Sequence, residues 1–264
     1  MTESTEGILG YNVLTLSGQS CVTNIVDSIM AGRNTSSHEK GRWLACLNPH
    51  SYTVALHDEC FAKALLKADW LIPDGVGVVL ASRVLGGSIR ERVTGSDVFY
   101  AVNSELNKLR DRKVFFLGST EEVLAEIKKK MAVDYPDVIV VGTYSPPFKE
   151  SFSHKDLDEM VLAINAVGPD VLWVGMTAPK QEKWIAKMIE RLDVTFVAAV
   201  GAVFDFYVGR VKRSHPVFQR LGLEWLPRLI QQPKRLWQRM FISAPIFVWH
   251  VLLSRLGFEV DRSQ

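Results

Sequence analysis

The sequence predicts an α/β fold: a Rossmann-like, mostly parallel sheet with helices on both faces, followed by a helical, basic C-terminal appendage. Three observations predict it. Short apolar runs alternate with stretches of helical periodicity, the order that builds parallel βαβ units. The runs are apolar on successive residues instead of every second one, as in strands covered on both faces. After about Phe206 the strand-like runs cease, and arginines mix with large aromatics. The expected division is an α/β domain over 1–206 and an appendage over 207–264.

In chain order, RWLACL (42–47), DWLIP (69–73), KVFFLG (113–118), DVIVVG (137–142), DVLWVG (170–175) and VTFVAAV (194–200) read as buried strands. Several lead through a Gly or turn residue into an amphipathic stretch: STEEVLAEIKKKM, SHKDLDEMVLAINAV and APKQEKWIAKMIERL. Ligands of open α/β sheets bind outside the carboxyl ends of the strands, so functional residues are expected just after these runs. A chain of 264 residues, 47% hydrophobic and 23% charged, is long enough for such a body and excludes wholesale disorder. Cys21, Cys46 and Cys60 are odd in number and lie in apolar surroundings. They read as reduced core thiols of a cytoplasmic protein. The polar start MTESTEGILG does not read as a signal peptide.

The net charge of +2 hides an asymmetry: Gly209 to the end carries ten Lys/Arg and three Asp/Glu, +7 on a body of −5. Such a tail suits an anionic partner. Its apolar part, Met240 to Ser254, is fifteen residues long and contains Pro245 and His250, short of the roughly 20 residues of a membrane crossing. Aromatics flanked by arginines fit a helix lying in the membrane interface. They equally fit aromatics packed on the body with the arginines in water.

Three stretches are candidates for chemistry. LIPDGVGVV (71–79) sets Asp74 between apolar runs; it reads either as a helix N-cap or as a general base at a strand end, made more basic by partial burial. VGMTAPKQEKWI (174–185) leads from a strand into a helix start whose free N–H groups suit an anion. Gln181 there can donate and accept at once, which suits a sugar or a uracil edge, and Glu182 can favour the helix dipole. LGSTEE (117–122) is built alike, with Gly118 in the turn and Ser119/Thr120 as caps. Neither the spaced-glycine dinucleotide fingerprint nor a Walker sequence occurs, which disfavours a conventional NAD or ATP site. The six histidines show no metal-ligand spacing, and Asp156-Leu157-Asp158 sits in KDLDEMVLAI as the polar opening of a helix. No metal and no cofactor are expected.

The stretches LNPHSYTVA, ADWLIPDGVGVVLASRVLG, ERVTGSD, FFLGST, YPDVIVVGTY, VGMTAPKQEKWI, VGAVFDFYVGRVKRS and LGLEWLPRL occur in that order. Together they resemble the WecG/TagA/CpsF family of bacterial glycosyltransferases, glycosyltransferase family 26, from about Gly7 to Arg239. The resemblance implies transfer of a sugar from a UDP-sugar to a polyprenyl-diphosphate-linked saccharide at the cytoplasmic face of the cell membrane, with inversion and without a DxD-bound metal. Family donors include UDP-N-acetylmannosamine, its uronic acid and UDP-glucose. By the same resemblance Asp74 matches the proposed catalytic base and Asn48 its partner near the acceptor sugar. Gly75, Thr94, Gly95, Gly118, Gln181 and Glu182 fall in the substrate-binding motifs. Arg213, Arg220, Arg228, Arg235 and Arg239 fall in the appendage that grips the lipid diphosphate. The chain departs from the family pattern at Thr177, at TYSPPF and at Arg213-Ser214-His215; the first two lie in loops that bear on sugar identity.

Two other readings come from the residues. One is a nucleotide-binding regulatory module without chemistry, the other a nucleic-acid binder acting through the basic, aromatic tail. The expected partners are a UDP-sugar, a lipid-linked acceptor and the membrane surface, with no nucleic acid; an oligomer is compatible with the sequence.

Overall fold

The computed structural model describes residues 4–34, 41–211 and 237–258. Its main sheet has six strands in the order β4-β3-β8-β7-β5-β6, where β3 is Arg42–Leu47, β4 Trp70–Pro73, β5 Arg112–Gly118, β6 Val138–Tyr144, β7 Val171–Gly175 and β8 Phe196–Ala199. These are the six runs expected from the sequence. The ladders β3·β8, β8·β7, β7·β5 and β5·β6 are parallel, and helices lie around the sheet. A two-stranded antiparallel hairpin, β1 Thr5–Ile8 and β2 Tyr11–Leu14, precedes it and was not expected. Its signal is the dipeptide Leu9-Gly10, whose positive φ values of 48° and 80° are those of a two-residue hairpin turn.

The chain forms two compact units. The first comprises 1–18, 46–94 and 211–264. It holds the hairpin, β4, and helices α2 (Pro49–His57), α3 (Glu59–Lys67) and α4 (Val76–Leu85). After 237 it adds a π-helical turn, Arg239–Ser243, running into α10 (Ala244–Arg255). Its core includes Tyr11, Tyr52, Phe61, Trp70, Ile72, Val78, Phe247 and Val251. Tyr52 sits at the centre, edge-to-face with Tyr11, Phe247 and His250. Cys60 is exposed and Cys46 partly so; only Cys21 is fully buried, and none of the three forms a disulfide. The expectation of three core thiols is thus corrected, because α3 turns Phe61, Ala64 and Leu65 inward and Cys60 outward.

The second unit, 19–45 and 95–210, contains α1 (from Gly18 to Asn34), α5 (Gly95–Leu109), α6 (Glu121–Asp134), α7 (His154–Asn165), α8 (Lys180–Met188) and α9 (Val203–Tyr207). Trp173 in the middle of its sheet is fully buried, edge-to-face with Phe99 and Phe196. Ser153 caps α7 in a capping box with Asp156. Hydrogen bonds from Lys149 and then Ser153 hold the Asp156 carboxyl down at about 2, and Asp158 pairs with Arg191. The DLD triplet is therefore a helix opening, as its sequence context suggests.

Candidate active site

In the first unit the site is built around Asp74. β4 ends at Pro73, and the Asp74 N–H continues the ladder by donating to the Leu47 carbonyl at 2.8 Å. Asp74 is half-buried. The N-cap position of α4 is Gly75, with φ 104°, and Asp74 stands one residue before it. The N-cap reading of Asp74 is corrected by one position, because this left-handed glycine turns the chain one residue later. Gly77 then allows α4 to approach α2, since a Cβ at that position would lie 2.6 Å from Pro49 Cγ.

The close approach of the two helix starts sets Asn48 beside Asp74. Asn48 caps α2: its Oδ1 accepts from the N–H groups of His50 and Ser51 at 3.0 and 2.9 Å. Ser51 Oγ accepts in return from the Asn48 N–H at 2.8 Å, completing a capping box. With Oδ1 committed to the helix, Nδ2 points at Asp74 and donates to Oδ2 at 3.2 Å. The side chain is thus held at both ends. The RVTGS segment follows β4 as well, because the Val93 N–H donates to the Pro73 carbonyl at 3.0 Å. Thr94, next in the chain, is buried, and Gly95 is the buried first residue of α5 in the second unit.

The second unit carries the remaining candidates of the body. Gly118 and Gly175 face each other at the ends of β5 and β7. Gly118 has φ 119°, and a Cβ there would stand 2.5 Å from the Gly175 carbonyl oxygen, so this strand end admits no side chain. Thr120 caps α6, as the LGSTEE reading expects. The TYSPPF loop is tied to the same turn by Ser145 Oγ, which donates to the Ser119 carbonyl at 2.8 Å.

Gln181 and Glu182 in α8 are each only 4% exposed. Gln181 Oε1 accepts from two backbone N–H groups, Met176 at 3.2 Å and Gly201 at 3.0 Å. Its Nε2 donates to Glu182 Oε1 at 2.9 Å. The carbonyl end is therefore spent on the turns after β7 and β8, and the amide keeps one N–H for other use. Burial pushes the Glu182 carboxyl up to about 7. Sequence reading placed Glu182 at a helix start for its charge; the structure places it inside the protein.

Arg239 opens the π-helical turn of the first unit. The Ser243 at its end is buried; its carbonyl accepts from Thr53 Oγ1 at 3.2 Å and its Oγ pairs with His50 Nδ1 at 3.0 Å. Tyr52 OH pairs with His250 Nδ1 at 2.7 Å. The C-terminal helix is thus fastened to α2, the helix that Asn48 caps. Sequence reading gave no sign of His50 or Thr53 in this role, because their partners lie almost two hundred residues away. Arg213, Arg220, Arg228, Arg235 and LGLEWLPRL lie outside the described residues.

Comparison with known proteins identifies the family. The model of the glycosyl transferase WecG/TagA/CpsF family matches residues 7–260. The chain belongs to the WecG/TagA/CpsF family. It is a glycosyltransferase. A relative from Bacillus spizizenii is 32% identical over 81% of this chain and 79% of its own length. One from Bacillus subtilis is 30% identical over 80% and 79%, and one from Staphylococcus aureus 27% identical over 79% of each. All three are named N-acetylglucosaminyldiphosphoundecaprenol N-acetyl-beta-D-mannosaminyltransferase.

Proposed function

We propose that this glycosyltransferase moves a sugar from a UDP-sugar to a polyprenyl-diphosphate-linked saccharide by a single inverting displacement, with Asp74 as the base. The observation that carries the reading is the Asn48–Asp74 pair: a half-buried carboxylate at a strand end, oriented by a side chain that a helix N-terminus itself holds. In the step, Asp74 accepts the proton of the acceptor hydroxyl. The hydroxyl oxygen bonds to the anomeric carbon while the bond from that carbon to the diphosphate breaks, and UDP leaves with the electron pair. The β in the relatives' name is what inversion of an α-linked nucleotide sugar yields. The departing charge needs donors; the backbone N–H groups at the start of α8 and the arginines of the appendage are suited to supply them. Gly75, Thr94, Gly95, Gly118 and Gln181 are assigned to substrate binding. Arg213, Arg220, Arg228, Arg235 and Arg239 are assigned to the lipid diphosphate, whose paired oxygens match the guanidinium fork.

The same reading places the protein on the inner face of the cell membrane through its C-terminal appendage, 207–264. The C-terminal helix turns Ser243, Phe247 and Val251 inward and leaves Phe241, Ile242, Val248, Trp249, Leu252 and Leu256 exposed. A surface helix that is apolar all round requires a second cover. On α4, Val76, Leu80 and Val84 form another exposed apolar row at four-residue spacing, starting two residues after Asp74. Among the described residues no helix is long and apolar enough to cross a membrane, so the cover fits an interfacial contact.

The test is a screen of UDP-sugars against a synthetic lipid-diphosphate N-acetylglucosamine acceptor, beginning with UDP-N-acetylmannosamine, with UDP release and glycolipid product both measured. Acceptor-dependent UDP release with matching product is expected. UDP-sugar binding without product from any donor would leave only a regulatory module. Tight, steeply salt-dependent binding of DNA or RNA in place of vesicles would favour the nucleic-acid reading.

A further inference from the structure

We propose that Glu182 is a positioning residue: it holds the Gln181 amide and, through it, the backbone turns that follow β7 and β8 in the geometry used for transfer. The inference rests on the glycosyltransfer reading above for its catalytic consequence, and on the geometry of α8 for the rest.

A glutamine amide has two ends that differ only in hydrogen bonding. At Gln181 the two backbone donors, Met176 and Gly201, demand the oxygen end. Their turns come from different strands, and the amide is the side chain that bridges them. Gly201 has φ 57°, and its N–H donates to Gln181 Oε1 at 3.0 Å and, at 3.4 Å, to the Val174 carbonyl, so Gln181 is the nearer acceptor for the turn after β8. The nitrogen end then needs an acceptor of its own in a buried place, since an unsatisfied buried donor is costly. Glu182 Oε1 provides it at 2.9 Å.

Among the described residues Glu182 has no charged partner. Its Oε2 is buried and meets no hydrogen-bond partner among the described residues. A buried ionised carboxylate left in that state is unfavourable, and burial indeed favours the neutral acid here. An uncharged carboxyl accepts from Gln181 without adding negative charge to a helix start assigned to an anionic substrate. Glu182 therefore acts through Gln181, and its oxygens are withdrawn from substrate.

Two variants separate this role from general support of the fold. Glu182→Met keeps length and apolar volume but removes the acceptor; Glu182→Gln keeps an acceptor oxygen at the same reach. In Glu182→Met the exchange of the Met176 and Gly201 amide hydrogens should accelerate by about tenfold or more relative to neighbouring strand amides. The melting temperature at pH 8 should hold or rise, because a buried acid has been removed. Its kcat/KM should fall by roughly 10–10², and Glu182→Gln should recover most of both losses. Adding Gln181→Ala to Glu182→Met should cost little more than Gln181→Ala alone, the non-additivity expected of residues acting as one unit.

Unchanged exchange at Met176 and Gly201 in Glu182→Met would overturn the proposal, whatever the activity. So would additive losses in the double variant, or a Glu182→Gln that behaves like Glu182→Met. A wild-type protein that transfers no sugar would instead sink the glycosyltransfer reading, and the exchange rates would still judge Glu182.

Discussion

Asp74 owes its setting to two short-range devices, the left-handed Gly75 that starts α4 late and the capping box that orients Asn48. Asp74→Asn keeps shape and hydrogen bonding but cannot take a proton. Turnover is expected to fall by roughly 10²–10⁴ with the melting temperature little changed, measured by UDP release and calorimetry; full turnover would reject Asp74 as the base. Asn48→Asp tests the other half of the pair. An aspartate caps a helix as well as asparagine does, so stability should change little, yet it turns an acceptor toward Asp74 where a donor stood. Loss of about tenfold or more in kcat/KM is expected, and an unaffected rate would show that Nδ2 does not serve the base.

Glu182 gives a pH dependence whose sign can be worked out. The unfolded carboxyl titrates near 4.5 and the folded one at about 7. Below 4.5 both states hold the proton. Between the two values only the folded state keeps it, so stability declines as pH rises and levels off above 7. The full decline is about 3 kcal/mol for a shift of this size. Thermal melts across this range should show it in the wild type and lack it in Glu182→Gln. Parallel curves for the two proteins would contradict the burial argument.

At the scale of elements, the six strands were legible because each is a continuous apolar run, the mark of a strand covered on both faces. Three of the helices, α6, α7 and α8, were legible from periodicity, and Thr120 from cap position. The hairpin was harder to read: its two strands have four residues each, too few for alternation to stand out. The PDGVG motif is clear only as packing. Gly75 supplies the backbone angle and Gly77 the room for Pro49. Gly77→Ala gains about 1 kcal/mol of helix propensity, but overpacking against a rigid proline ring costs about 1–3 kcal/mol. Net loss of stability is therefore expected in denaturant titration, with activity falling as α4 is pushed from the Asn48 cap. A stabilised, fully active Gly77→Ala would show that the two helix starts need not be this close.

At the scale of the whole molecule, the proposed membrane contact rests on the exposed apolar face of the C-terminal helix. Trp249→Ser with Leu252→Ser changes only exposed positions and leaves Phe247 and Val251 packed. Sedimentation with vesicles of anionic lipid is expected to drop by about tenfold or more while the melting temperature is kept. Equal sedimentation of variant and wild type would reject the interfacial contact.

The sequence by itself determined the α/β class, the six strands of the main sheet and the motifs that carry the family. Periodicity, turn residues and short motifs are local, and local chemistry is readable one residue after another. Only the tertiary structure decided what the side chains do with each other. It alone showed that Asn48 is spent at one end on a helix and at the other on Asp74, twenty-six residues on. It also showed that the Gln181 amide faces inward to two backbone turns, and that Glu182, read from the sequence as a helix-dipole charge or a substrate contact, is a buried acid. The physical reason is the same in each case: burial and hydrogen-bond partners are set by segments distant in the chain, and no periodicity within one segment records them.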